Sequence, residues 1–183
     1  VFPGPGLAPQ EQEETLTADM VTHILGGTHA SRLWQSVRER QRLVSSVSIG
    51  NFTLRGRSLT MVSATLEPQN TGAAIEAIYK EIERFARRGP TEEELQRARK
   101  AIGNHFLYDT ETNQEQAFMS GYLFTQTGDT RFETEYLDRI RRVDAAAARK
   151  VARKWLQRET SNLFLVLPAG PAAGPEGSPA PAQ

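Results

Sequence analysis

An α+β fold, with a mainly antiparallel sheet covered by helices on one side, is predicted by three observations. Two neighbouring segments, "LVSSVSI" from Leu43 to Ile49 and "SLTMVSATL" from Ser58 to Leu66, alternate with a period of two, as half-buried strands do. Segments before and after them carry apolar residues at helical spacing. A final short apolar run, "NLFLVL" from Asn162 to Leu167, is stopped by Pro168 and is the length of a strand. Helices, two strands, more helices and a last strand give an antiparallel sheet with helices packed on one side.

Each element has a local cause. "EETLTADMVTHILGG" places Leu16, Met20, Ile24 and Leu25 on a helix that Gly26 and Gly27 end. "HASRLWQSVRERQ" groups Leu33, Trp34 and Val37 on one side of a second, shorter helix, with Trp34 assigned to the core. "GNFTLRGR" supplies the turn between the two strands. "TGAAIEAIYKEIERFARRG" bears the stripe Ile75, Ile78, Ile82 and Phe85 and closes at Gly89. Thr91 and Glu94 then stand at capping-box spacing before the face formed by Leu95, Ala98, Ile102 and Phe106. "NQEQAFMSGYLFTQ" and "TRFETEYLDRIRRV" are two further helices separated by the turn "TGD". Asp144 is the expected N-cap of a last one, which turns Val151 and Trp155 to the core.

Composition narrows the function. With 22 basic and 22 acidic residues among 183, the chain has no net charge and no global field to draw nucleic acid or anionic lipid. Basic runs such as "RIRR" lack interleaved aromatics and read as solvated helix faces. There is no cysteine, hence no disulfide, no thiolate zinc site and no cysteine nucleophile. No apolar run approaches the roughly 20 residues of a membrane helix, so the domain is expected to be soluble. The start, "VFPGPGLAPQ", has neither an initiator methionine nor a signal core, and the chain is expected to be cut from something longer. Residues 1–167 form the predicted single domain. Residues 168–183, rich in Pro, Ala and Gly, form a tail whose composition predicts disorder.

Enzymatic signatures are missing. A helical zinc site needs two histidines one turn apart beside a glutamate, whereas His23 has Gly27 at that spacing and His29 follows only after a glycine pair. Neither a nucleophile elbow nor a phosphate-binding glycine loop occurs. No catalytic residue, metal ligand or cofactor is predicted within this chain.

The stretch "ILGGTHASRLWQSVRERQRLVSSVS" resembles the insulinase or mitochondrial-processing-peptidase-like (pitrilysin-type) zinc metallopeptidases, in which Leu-Gly-Gly, Ser-Arg-Leu and an Arg-Glu pair precede a strand in this order. "RRGPTEEELQRARKAIGNHFL" is similar to that family's helix pair, and "TGDTRFETEYLDRIRRVDAAAARKVARKWL" to its closing helices. The resemblance covers residues 15 to 167. It implies a fold built from repeated α+β halves, one holding zinc and the general base. The other, which this chain is similar to, lacks the motif and closes over the substrate chamber.

The resemblance implies a function and particular residues for it. The expected function is a non-catalytic, chamber-forming domain of a zinc metalloendopeptidase. It would act on peptide or unfolded polypeptide only with a zinc-binding homologous half, in the same chain or on a partner subunit; zinc is expected only in that half. The alternative is a degenerate member with a structural or partner-assembly role. Arg38 matches the family's substrate-binding arginine, and Ser45, seven residues on, stands where a tyrosine is expected. Loss of that phenol removes an oxyanion donor worth roughly 3 kcal/mol in such sites. Arg42 occupies a place where the family usually has glycine. Gly26, Gly27 and Arg32 are expected to build a structural loop. A bacterial parent would imply a periplasmic or envelope location.

Overall fold

Prolines form the first strand. The structure, a computed structural model, describes residues 1–167. In it β1 (Phe2–Pro5) pairs antiparallel with β3 (Arg57–Thr65), which also pairs antiparallel with β2 (Ser46–Phe52), giving the order β1-β3-β2. The register sets Phe2 against Thr60 and Gly4 against Ser58. Pro3 and Pro5 fall on the alternate positions of an edge strand, where a missing N–H breaks no ladder bond. From sequence this segment reads as an irregular entry, because prolines in a strand are visible as harmless only once the edge is known.

The predicted pair of strands is present with shifted ends: β2 starts at Ser46 and runs through Phe52, so Thr53–Gly56 is the turn. The third predicted strand is not. Asn162 exchanges two backbone hydrogen bonds of 2.8 Å with Val1, residues 163–167 are in no strand, and Leu163 to Leu167 are exposed. The tail predicted over 168–183 lies outside the described residues.

One face of the sheet is packed and the other bare. Val47, Ile49, Ser58 and Thr60 are buried under the helices. Ser46, Ser48, Gly50 and Phe52 of β2, and Leu59, Met61, Ser63 and Thr65 of β3, point the other way and are exposed. The register places Ser46 opposite Thr65, Ser48 opposite Ser63, Gly50 opposite Met61 and Phe52 opposite Leu59.

The helix against the sheet is α1 (Gln12–Gly26), ten of whose fifteen residues are buried. It is therefore enclosed on most sides, and its polar Thr15, Thr17 and Thr22 are buried with its apolar residues. A segment of π-helix follows (Trp34–Arg40) in place of the expected short α-helix, with Leu33 and Val37 fully buried. Next come α2 (Thr71–Arg88), ended by Gly89 at φ +73°, and α3 (Glu92–Tyr108). The capping box at Thr91 and Glu94 is formed as predicted. A second one, Thr112 with Glu115, opens α4 (Asn113–Thr127). Then α5 (Arg131–Arg142) and α6 (Ala145–Trp155) follow, the latter capped by the Asp144 carboxylate at 2.7 Å from the Ala147 N–H.

These closing helices are fastened to the start of α1. Glu14 accepts from Lys154 at 2.7 Å and from the Trp155 indole at 2.9 Å, and Arg139 pairs with Glu13 at 2.8 Å. Trp34 and Trp155, assigned from sequence to core packing, are half-buried and pack against the core, while Phe106 is half-buried against Tyr136. The indole N–H of each tryptophan donates to a glutamate, and satisfying it keeps one side of the ring outside the core.

Candidate functional site

The two residues singled out for substrate are brought together, though through the backbone. Arg38 lies on the last turn of the π-helical segment, and its Nε donates to the carbonyl oxygen of Ser45 at 2.8 Å. Its Nη1 pairs with Glu39, and the guanidinium lies 4.3 Å from the centroid of the Trp34 ring. His29 stacks on the same ring at 4.0 Å. Ser45 in turn is tied to the end of β3: its N–H and its hydroxyl donate to the Thr65 carbonyl at 2.8 and 3.0 Å. Arg38 thus sits at the mouth of the sheet, at the end where the bare face carries Ser46, Ser48, Ser63 and Thr65.

Between them, Arg42 holds the left-handed conformation at φ +54°, the only described residue other than glycine with positive φ. Its N–H donates to the Arg38 carbonyl and the Leu43 N–H to the Val37 carbonyl, at 3.0 and 3.1 Å. This is the helix ending that a residue without a Cβ suits best, and it gives a physical reason for the glycine expected there.

The loop residues have structural surroundings. Arg32 grips both carboxylate oxygens of Glu94 at 2.7 Å, donates to the Gly89 carbonyl at 2.9 Å and lies over the Phe85 ring. It thereby locks the exit from α1 onto the α2–α3 junction. Burial alone raises the Glu94 pKa, but the hydrogen bonds from Arg32 and from Thr91 outweigh it and hold the carboxyl below its ordinary value. Gly26 is needed for close approach: a Cβ there would stand 2.6 Å from Ile49 Cγ2 and 2.9 Å from the Ile49 nitrogen. Neither Gly26 nor Gly27 has a positive φ, so steric contact with β2 and with His23, not backbone freedom, is what requires glycine.

One constellation is not visible in the sequence. Asp19 on α1 accepts from the Asn51 amide on β2 at 2.9 Å and from the Tyr136 hydroxyl on α5 at 3.3 Å, and Asn51 accepts from the Thr60 hydroxyl at 2.8 Å. Desolvation is the largest influence on Asp19 and pushes its pKa up to about 6 against the pull of those two hydrogen bonds. Burial, and next the neighbouring Asp19 charge, push Tyr136 upward, so its hydroxyl remains a donor. The available signal is an acidic residue next to Met20 on the core-facing helix; it is weak because α1 is buried on most sides.

Zinc does not fit the residues present. The three histidines are dispersed: His29 stacks on Trp34, His23 lies in the wall of a cavity and His105 approaches Asp109 at 3.4 Å. No group of three potential metal ligands is assembled among the described residues.

Among the described residues the sheet is backed by helices on one face, is bare on the other, and is accompanied by no group of metal ligands. The profile of the peptidase M16 inactive domain matches residues 1–102, and the chain belongs to that family. The "inactive peptidase domain of a putative zinc protease" from Bordetella parapertussis superposes with a TM-score of 0.78 at 19% identity, over 94% of this chain and 91% of that one. A protease from Helicobacter pylori gives 0.76 at 17% identity, over 87% of this chain and 38% of its own. A peptidase M16 inactive domain from Pseudomonas fluorescens gives 0.72 at 16% identity, over 87% and 38%. The chain thus spans well under half of the latter two. No curated protein matches it. No helix among the described residues is long and apolar enough to cross a membrane.

Proposed function

We propose that this chain forms one wall of the substrate chamber of a zinc peptidase and contributes no catalytic group. The observation that carries this reading is the bare sheet face. Its outward positions at the Arg38 end are small or hydroxylated, so an extended polypeptide can approach the backbone. Phe52, Leu59 and Met61 at the other end, all more than two-fifths exposed, offer apolar contact to an unfolded chain. Hydrolysis then requires a homologous half that supplies zinc and a general base, from the same parent chain or a partner subunit. Arg38 is the substrate-binding residue of this half, and Ser45 marks the place of a missing phenol. The test is to obstruct the wall: Ser48→Trp or Ser63→Trp, in complex with the zinc-bearing half, should raise KM for polypeptide at least tenfold with the fold intact. Unchanged kinetics would refute the chamber face.

A second reading, a degenerate member that only assembles with partners, is favoured by Ser45 in place of tyrosine and by the left-handed Arg42. It predicts that no zinc-bearing half confers hydrolysis on the complex.

A further inference from the structure

We infer that the open cavity bounded by α1, β2, α3, α4 and α5 binds a small organic cation, a primary ammonium on an apolar or aromatic stem. This goes beyond the chamber reading, since the cavity lies on the helical side of the sheet, beneath the inward Ile49 and Asn51.

Its volume, about 440 Å³, falls within the range of small-molecule sites. The walls are largely apolar and aromatic, including Phe106, Tyr122, Phe132 and Tyr136, and Phe106 and Tyr136 are stacked at 5.4 Å. Rings of this kind attract cations through their faces. In their midst stands the Asp19 carboxylate. Its two partners, Asn51 and Tyr136, are neutral donors, and among the described residues no lysine or arginine pairs with it or lines the cavity. The other groups there that can carry charge are His23, His105 and Asp109. Burial, then proximity to His105, lowers the His23 pKa, which keeps that ring neutral, and its Nε2 is buried without a hydrogen-bond partner. Asp109 adds a second negative charge.

A carboxylate drawn largely out of bulk water without a counter-ion is costly, and an ammonium supplies both the charge and the donors. An anion would meet two carboxylates. A neutral molecule would leave the charge uncompensated. A metal ion would lack the third ligand.

The experiment is calorimetric titration of the 183-residue chain at pH 7.5 with 2-phenylethylamine, beside 2-phenylethanol and 3-phenylpropionate. The amine should bind saturably at one site, the alcohol at least about tenfold more weakly and the carboxylate not at all. Asp19→Asn should weaken the amine by about tenfold or more. Should that variant fail to fold, Tyr136→Phe keeps the ring, removes one neutral donor from Asp19 and should bind the amine at least as tightly as the parent. No saturation by the amine up to about 10 mM, equal binding of the alcohol, or unchanged affinity in a folded Asp19→Asn variant would overturn the assignment, as would weaker binding by Tyr136→Phe.

Discussion

Arg38 donates its Nε to the carbonyl oxygen of Ser45 at 2.8 Å, so the arginine marked for substrate also fixes the entry of the chain into β2. On the chamber-wall proposal, two roles share one guanidinium. Lysine reproduces neither the planar stack on Trp34 nor the fork of donors. Arg38→Lys should lower kcat/KM of the complex with a zinc-bearing half by about tenfold to a hundredfold, which corresponds to about 1.5–3 kcal/mol. Its effect on folding should stay under about 1 kcal/mol, since the side chain is 37% exposed. Steady-state kinetics beside urea unfolding separate the two, and a wild-type rate for both Arg38→Lys and Arg38→Ala would reduce the residue to a structural one.

Arg42 at φ +54° predicts the opposite sign of effect. A residue with a Cβ loses about 1–2 kcal/mol in the left-handed region, and the added freedom of glycine in the unfolded chain takes back part of that. Arg42→Gly should therefore stabilise the domain by about 0.5–1 kcal/mol, read as a higher midpoint in urea with an unchanged slope. A lower midpoint would contradict the strain.

Arg32 and Glu94 are each about one-sixth exposed at the side chain. Removing the guanidinium leaves a half-sequestered carboxylate and an unanswered Gly89 carbonyl, so Arg32→Ala should cost about 2–3 kcal/mol. Glu94 has a depressed pKa. Its contribution is present above the ordinary carboxylate range and is lost as pH falls through the depressed folded value. The gap between parent and variant should narrow as pH falls below the ordinary carboxylate range of about 4, leaving only the part owed to the Gly89 carbonyl; parallel curves would show that the pair is not coupled to protons.

Asp19 has the reverse linkage. Its folded pKa, about 6, lies above the ordinary 3.8. The stability it contributes is full below the unfolded value and disappears as pH rises through about 6. Relative to the parent, Asp19→Asn should gain about 1–3 kcal/mol between about pH 4 and pH 7, measured by denaturant unfolding across that range. A difference that does not change with pH would place the carboxylate in contact with bulk water.

Wherever local chemistry decides the outcome, the sequence is informative. The Thr91–Glu94 capping box, the Asp144 cap and the glycine exits are set by neighbours in the chain, and the stretches around Arg32 and Glu94 can be singled out separately. That they meet as an ion pair 62 positions apart is a tertiary fact that no periodicity carries. β1 is obscured by its prolines, since only pairing with β3 reveals which edge they face. Residues 162–167 have the pattern of a strand, but the one backbone pairing they make, Asn162 with Val1, joins the two ends of the described chain and is a tertiary fact. The Asp19 network draws single residues from two helices and two strands, none conspicuous alone, and only the enclosure of α1 makes the carboxylate unusual.

Peptide hydrolysis by this chain, alone and together with a zinc-bearing half, tests the chamber-wall role most directly. That role predicts no hydrolysis of an unfolded polypeptide and no stoichiometric zinc after dialysis for the chain alone, and hydrolysis with one zinc per complex once the zinc-bearing half is added. Hydrolysis by the isolated chain, or a zinc-bearing half that cuts equally fast without it, would contradict that role.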